Sequence, residues 1–320
     1  MPARTLEAFS TMHPPTDVSG AFRDFGTLVI GVVGPGQVGK TTFGEGVDKY
    51  ARIFGGSDIS VDRFSGSRAY RGHTARLLDK HNITSPDQVS EGRMLEILEA
   101  ESEETKETDF LQYFLQKELS DDYLRSAQVD AAVGLVSADE GVFVKAAGAV
   151  ADYIGLMIND PSKTGRQKAP NILVVDARNL FTDCLPGIEN SNALRKGSAT
   201  HLGSFILTCR EEVAAQRTSS KEPYDVILAR LIARNIADRS RRLGPTTMPD
   251  DPVFKGLTSK IENLILSRDV SGLHEAGFRM GTDPARYPIG IDTEFTNANE
   301  MQGSLGFVLS AALHGMVHAA

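Results

Sequence analysis

Residues 34–41 read Gly-Pro-Gly-Gln-Val-Gly-Lys-Thr, a complete G-x-x-x-x-G-K-T. These residue types at this spacing suit a polyphosphate. Gly34, Gly36 and Gly39 let backbone N–H groups turn inward, with Pro35, Gln37 and Val38 completing the loop. Lys40 brings a flexible point charge for terminal phosphates, and Thr41 offers a hydroxyl to Mg²⁺. The helix expected to follow turns its positive end toward the same anion. The flanks are the ones such a loop requires: an apolar, strand-like run from Leu28 to Val33 before it and a helix-like segment after it.

Four further polar clusters lie elsewhere in the chain. Tyr70-Arg71 follows a second strand-like segment. Asp176-Ala177-Arg178-Asn179 follows a third. Arg210 and Arg217 form another group. Arg230, Arg234, Asp238, Arg239, Arg241 and Arg242 share one predicted helix, on which Arg234, Asp238 and Arg241 fall on one face at i, i+4 and i+7. Transfer of a phosphoryl group between two phosphate-bearing molecules needs this equipment, because two anions must be neutralised and aligned while charge spreads over the moving group. Arginine suits that task, since its planar fork grips phosphate oxygens in pairs. Solvated helix faces and capping pairs are the alternative reading of each cluster taken alone.

The elements that must position these groups follow from hydrophobic pattern. Residues 1–25 hold Pro2, Pro14 and Pro15 among mixed polar residues and read as a loose arm. The helix after the glycine loop is predicted to run to Phe54 and to stop at Gly55-Gly56. Asp58 to Val61 reads as a short strand, and the second half of Asp62 to Asn82 as a helix with Leu77 and Leu78 inward. Ser85-Pro86-Asp87 marks a turn or helix start. Glu91 to Asp109 is strongly acidic and reads as a solvated face. Phe110 to Leu119 fits helix or strand. Two helices fit Leu124 to Ile158. Asn171 to Val175 and Phe205 to Leu207 are buried-type strands. Glu211 to Arg217 and Tyr224 to Arg242 read as helices, with Gly244-Pro245 after the second. This alternation predicts a doubly wound, mostly parallel sheet with its site at the carboxyl ends of the strands. Residues 270–320, rich in glycine and punctuated by Pro284 and Pro288, read as an appended segment.

Bulk properties narrow the function. A chain of 320 residues, 41% hydrophobic, can build one large α/β domain with insertions or two domains. A formal charge of −8 argues against a surface that coats nucleic acid, while leaving room for a basic pocket. Two cysteines without C-x-x-C spacing suggest a reducing compartment. Residues 1–25 lack the apolar core of a signal peptide, and the run from Leu305 to Val317 is too short to span a bilayer. The expectation is a soluble, cytoplasmic protein with no membrane partner.

Taken in order, the motifs resemble those of cytidylate kinase, a nucleoside monophosphate kinase family. There the glycine loop is followed by a segment ending Tyr-Arg, matched by Ser65-Gly66-Ser67-Arg68-Ala69-Tyr70-Arg71. A later strand leads into Asp-Gly-Arg-Asp-x-Gly-Thr, matched by Asp176-Ala177-Arg178-Asn179-Leu180-Phe181-Thr182. A late helix carries Arg-Asp-x-x-Asp-x-x-Arg, matched by Arg234 to Arg241. The stretch from Leu124 to Lys145 is similar to the family's helix after the monophosphate-binding insertion. The resemblance covers residues 27 to 260. It implies a P-loop kinase three-layer α/β/α fold with a core over 26–269, an insertion over about 83–145, a short lid over about 210–224 and a C-terminal extension over 270–320. It puts ATP on Gly34 to Thr42 with Arg217 as a lid arginine, Mg²⁺ on Thr41, the acceptor phosphate on Arg71, Arg178 and Arg241, and ribose contacts on Arg234 and Asp238. Lys40, Arg178 and Arg241 would act on the moving phosphoryl group, and Tyr70, Lys145, Asp176 and Asn179 would line the acceptor site.

The chain departs from the family at the base reader. Asn179 replaces an aspartate, Lys145 falls where an arginine reads the base, and Gly134 falls near a base-reading serine, with Ser137 close by. Residues 187–200 are additional. The resemblance therefore implies phosphoryl transfer from ATP to a nucleoside monophosphate, CMP or dCMP first, by a monomer or a homodimer joined through the extension. A kinase for another small acceptor is the second expectation, with Asp62 or Asp176 as base if that acceptor is an alcohol. A nucleotide-binding interaction protein without turnover is the third.

Overall fold

The computed structural model describes residues 26–34, 38–55, 59–102, 104–115, 121–124, 126–137, 139–177, 199–217, 223–229, 231–232 and 289–293. It is mixed α/β, as the alternating pattern requires. Its sheet is built from β1 (Thr27–Val33), β2 (Val61–Ser65), β3 (Ile172–Asp176), β4 (Ala199–Thr208) and β5 (Ile289–Asp292), in the order β2-β3-β1-β4-β5. The pairings β1–β3, β1–β4 and β4–β5 are all parallel. The chain divides after Phe64 into two compact units, and Pro170–Asp176 returns to the first, which holds the sheet.

In the first unit β1 lies between β3 and β4, and every residue of Thr27–Val33 is buried. A strand covered on both faces can tolerate an unbroken apolar run, which is what Leu28 to Val33 supplies. β3 repeats the pattern, with Ile172 to Val175 buried and Asp176 partly exposed at its end. Asn171 locks the amino ends. Its side-chain oxygen accepts from the Ser60 N–H and hydroxyl, both at 3.0 Å, and its carbonyl accepts from the Leu28 N–H at 2.8 Å. The buried Thr27 hydroxyl adds a bond to the Pro170 carbonyl at 2.7 Å. Helix α1 (Lys40–Gly55) follows the glycine loop and packs on the sheet. Phe43, fully buried, meets Phe205 of β4 with ring centroids 4.8 Å apart.

Three elements differ from expectation. The second strand spans Val61–Ser65 rather than Asp58 to Val61. Only Phe64 in it is buried, so no apolar run marks it. β4 begins at Ala199, so the last two residues of the segment read as additional already belong to the sheet. Residues Ile289–Asp292 pair with β4 from Phe205 to Thr208, and so belong to the sheet rather than to a segment appended beyond it. Four residues that follow Pro288 and include Gly290 are too few to show a period.

The second unit is helical: α2 (Ser67–Lys80), α3 (Glu91–Glu101), α4 (Glu107–Leu115), α5 (Asp121–Leu124), α6 (Ala127–Val136) and α7 (Glu140–Asn159), with a 3₁₀ turn at Pro86–Gln88 and another at Pro161–Thr164. The stretch from Phe110, open to either reading, is helical as far as Leu115, and its remainder to Leu119 lies outside the described residues. Asp139 caps α7 by accepting from the Val142 N–H at 2.8 Å. α7 is long and apolar enough to cross a membrane by length and composition, and Val150, Ile154 and Met157 on it are fully buried inside this unit. α2 packs against α4 so closely that a Cβ on Gly72 would sit 2.5 Å from the Tyr113 ring. The acidic stretch is not uniformly solvated: Glu96 and Glu99 are exposed, whereas Glu101 is buried. Lys80 at 2.7 Å and His81 at 3.1 Å hold it, and the Lys80 ammonium draws its carboxyl below the usual carboxylate range against the opposing pull of burial.

His73 on α2 is 2% exposed, its ring 4.7 Å from that of Phe110. Its Nδ1 has no hydrogen-bond partner among the described residues. Burial first, then the Arg76 guanidinium, push its pKa from 6.5 down to about 4. The unfolded chain therefore binds this proton near pH 6.5, and the folded chain only near 4. The stability contributed by neutral His73 is complete above about 6.5 and is lost as pH falls toward 4, at a limiting slope of about 1.4 kcal/mol per pH unit. His73→Phe should flatten the fall in Tm between pH 6.5 and 5 relative to the wild type. Asn171→Ala should cost about 1–3 kcal/mol in a denaturant melt, because it strips the Ser60 N–H of its acceptor.

Candidate functional site

β1 delivers the chain to Gly34 at the carboxyl end of the sheet. A Cβ there would collide with the Leu207 carbonyl oxygen of β4 and lie 3.0 Å from a Val38 methyl. Only glycine fits this approach. Gly39 has φ +93°, a conformation that side-chain-bearing residues rarely adopt, and its carbonyl starts α1 by accepting from the Phe43 N–H at 2.9 Å. Val38 is fully buried, so it anchors the loop by its side chain. Residues Pro35, Gly36 and Gln37 lie outside the described residues.

Lys40 opens α1 and folds back over the loop. Its Nζ donates to the Gly34 carbonyl at 3.0 Å and stands 4.0 Å from Oδ1 of Asp176. Asp176 ends β3 in register with Val32 of β1. The pair is 16% and 32% exposed. A partly solvated contact at that length is worth ~0–1 kcal/mol, so its consequence is orientation rather than stability. The ammonium is held at the point where adjacent parallel strands end, the usual ligand position in open α/β sheets. Thr41 is exposed on the first turn of α1, and Thr42 is partly exposed.

These groups fit a nucleoside triphosphate with Mg²⁺. The Thr41 hydroxyl and the Asp176 carboxylate are hard oxygen donors, and Mg²⁺ takes one or two such protein groups beside phosphates and waters. Among the described residues no cluster of three or more His, Cys, Asp or Glu offers an all-protein metal cage. A cation carried by phosphates needs none.

Arg217 also belongs to the first unit. It caps helix α8 (Glu211–Gln216), and its guanidinium reaches the end of β5, donating to the Thr293 hydroxyl at 3.3 Å and the Thr293 carbonyl at 2.5 Å. Cys209 Sγ lies 3.7 Å away. Thr293 is 2% exposed and 76 residues downstream, so no local pattern could have signalled it. Arg210 is the N-cap of α8 and is exposed.

In the second unit Tyr70 is buried against Phe143. Arg71 pairs with Asp130 of α6 at 2.7 Å and donates to the Leu124 carbonyl at 2.7 Å. Lys145 of α7 donates to the carbonyls of Ser102 at 3.1 Å and Thr105 at 2.8 Å, closing the C-terminal end of α3. The sequence reading missed Asp130, although it is the one charge in the apolar run of α6. Arg178, Asn179, Arg234, Asp238 and Arg241 lie outside the described residues.

Gly34→Ala should weaken triphosphate binding at least tenfold in a titration with a fluorescent ATP analogue, by forcing the loop off the Leu207 carbonyl. Gly155→Ala, where a Cβ meets nothing within 4 Å, should leave binding unchanged and raise stability by up to about 1 kcal/mol. The sequence matches no protein-family model and no curated protein.

Proposed function

We propose that the chain is an ATP-dependent phosphotransferase of P-loop kinase architecture whose acceptor is a nucleoside monophosphate, CMP or dCMP first, yielding the diphosphate and ADP. One observation carries this reading: the Lys40 ammonium lies between the Gly34 carbonyl and the Asp176 carboxylate, at the shared carboxyl end of β1 and β3. A glycine loop, a helix start, a cation and a carboxylate at one strand end are the parts that grip a Mg²⁺–triphosphate.

Bound ATP with Mg²⁺ supplies the phosphoryl group and neutralises part of its charge. Lys40 is close enough to the loop to stay with the γ-phosphoryl as charge builds on it. An oxygen of the acceptor phosphate forms the new P–O bond as the bond to ADP breaks. A phosphate oxygen is already deprotonated, so no protein base is needed. The resemblance assigns the acceptor phosphate to Arg71, Arg178 and Arg241, and the ribose to Arg234 and Asp238. Lys145 favours a second reading of the acceptor. The residue at the base-reader position binds two backbone carbonyls, which supports an acceptor other than a pyrimidine nucleotide.

The test is transfer of labelled γ-phosphate to a panel of nucleoside monophosphates and small phosphorylated or hydroxylated acceptors. Turnover with one pyrimidine monophosphate supports the reading. Turnover only with a non-nucleotide selects the second acceptor class. Lys40→Ala should lower kcat on the order of a hundredfold or more by removing charge from the moving group. An unchanged rate would sink the mechanism.

A further inference from the structure

The geometry points to Asp130 as a positioning residue for Arg71 in the acceptor-anion site, and this rests on the phosphotransferase reading. Of the three arginines assigned to the acceptor phosphate, Arg71 lies among the described residues. An arginine has five N–H groups, two on each Nη and one on Nε. In Arg71 both interactions fall on Nη1, one with the Leu124 carbonyl at 2.7 Å and one with Asp130 Oδ1 at 2.7 Å. Among the described residues the opposite edge, Nε and Nη2, meets no acceptor. The hydrogen bond to Leu124 and the ion pair with Asp130 together restrain the guanidinium. The edge left over is a parallel pair of donors that fits two oxygens of a phosphate.

The elements explain why the anchors hold. Leu124 ends α5 and is 3% exposed, so its carbonyl is fixed by a buried side chain. Asp130 stands in the first turn of α6, where the positive helix end favours a carboxylate. Val129 and Ala132 on either side are fully buried and hold the helix in place. The alternative role for Asp130 is repulsion of the incoming anion. Its side chain is 39% exposed, so water and salt screen that charge, while the 2.7 Å contact with Arg71 is direct. Orientation outweighs repulsion.

The experiment compares wild type, Arg71→Ala, Asp130→Ala and Asp130→Asn by calorimetric titration with the preferred monophosphate from the panel and by steady-state kinetics. Asp130→Ala should raise the acceptor Kd and KM about fivefold, with the KM for ATP and the Tm within error of wild type. Asp130→Asn, which keeps an oxygen facing Nη1, should stay within twofold of wild type. Combined with Arg71→Ala, Asp130→Ala should add nothing. If Asp130→Ala binds as well as or better than wild type while Arg71→Ala is weak, the assignment of Asp130 is overturned and the acceptor site stands. If Asn behaves as poorly as Ala, charge rather than orientation is at work and the assignment is again overturned. If wild type binds no monophosphate, the nucleoside-monophosphate reading of the acceptor fails and takes this inference with it.

Discussion

The carbonyl of Leu207 leaves no room for a side chain at Gly34, and the rest of the first unit depends on that approach. β1 is buried along its whole length between β3 and β4, so its exit from the sheet is set by its neighbours. The exit must be glycine. The loop that follows must turn at once, which Gly39 permits through its positive φ, and α1 must begin where Lys40 can fold back onto the Gly34 carbonyl. Packing of Phe43 on Phe205 then fixes the helix to the same strand whose carbonyl constrains Gly34. Sheet order, loop and cation form one chain of causes, and Asp176 enters it because β3 lies beside β1.

The cations of the two units are held by different means. Lys40 donates to the Gly34 carbonyl at 3.0 Å and stands 4.0 Å from the partly exposed Asp176 carboxylate. Arg71 is anchored through one nitrogen with an edge left over. Lys145 and Arg217 are tied more fully, to the end of α3 and to Thr293 after β5. The proposed chemistry therefore divides labour among cations that look alike in sequence. On that proposal Lys40 and Arg71 meet anions, whereas Lys145 and Arg217 brace the elements around them.

Legibility in the sequence tracked how local the determining physics is. The glycine loop could be read because the spacing, the apolar run before it and the helix after it all fall within two dozen residues. β1, β3 and α7 were equally clear, since continuous burial and 3.6-residue periodicity leave a mark in any window. β2 was displaced because an exposed strand with one buried residue carries no pattern. β5 went unrecognised because its partner, β4, lies some eighty residues upstream and four residues make no period. In the sequence Glu101 does not differ from its solvated acidic neighbours. The feature that sets it apart is ion pairing with Lys80 and His81, two helices' ends brought together only by folding. Asn171, Thr293 and Asp130 share that character: each acts through a bond to a distant residue. The arginine roles that resemblance supplies at Arg178, Arg234 and Arg241 fall outside the described residues and rest on the sequence alone.

The central claim is that the loop between β1 and α1 recognises phosphates rather than a base or sugar. Titration calorimetry of the wild-type chain with ATP, AMP and adenosine in the presence of Mg²⁺ tests it most directly. The account predicts that ATP binds at least about a hundredfold more tightly than AMP, equivalent to about 2.7 kcal/mol, with adenosine weaker still. Equal affinity for all three would contradict it.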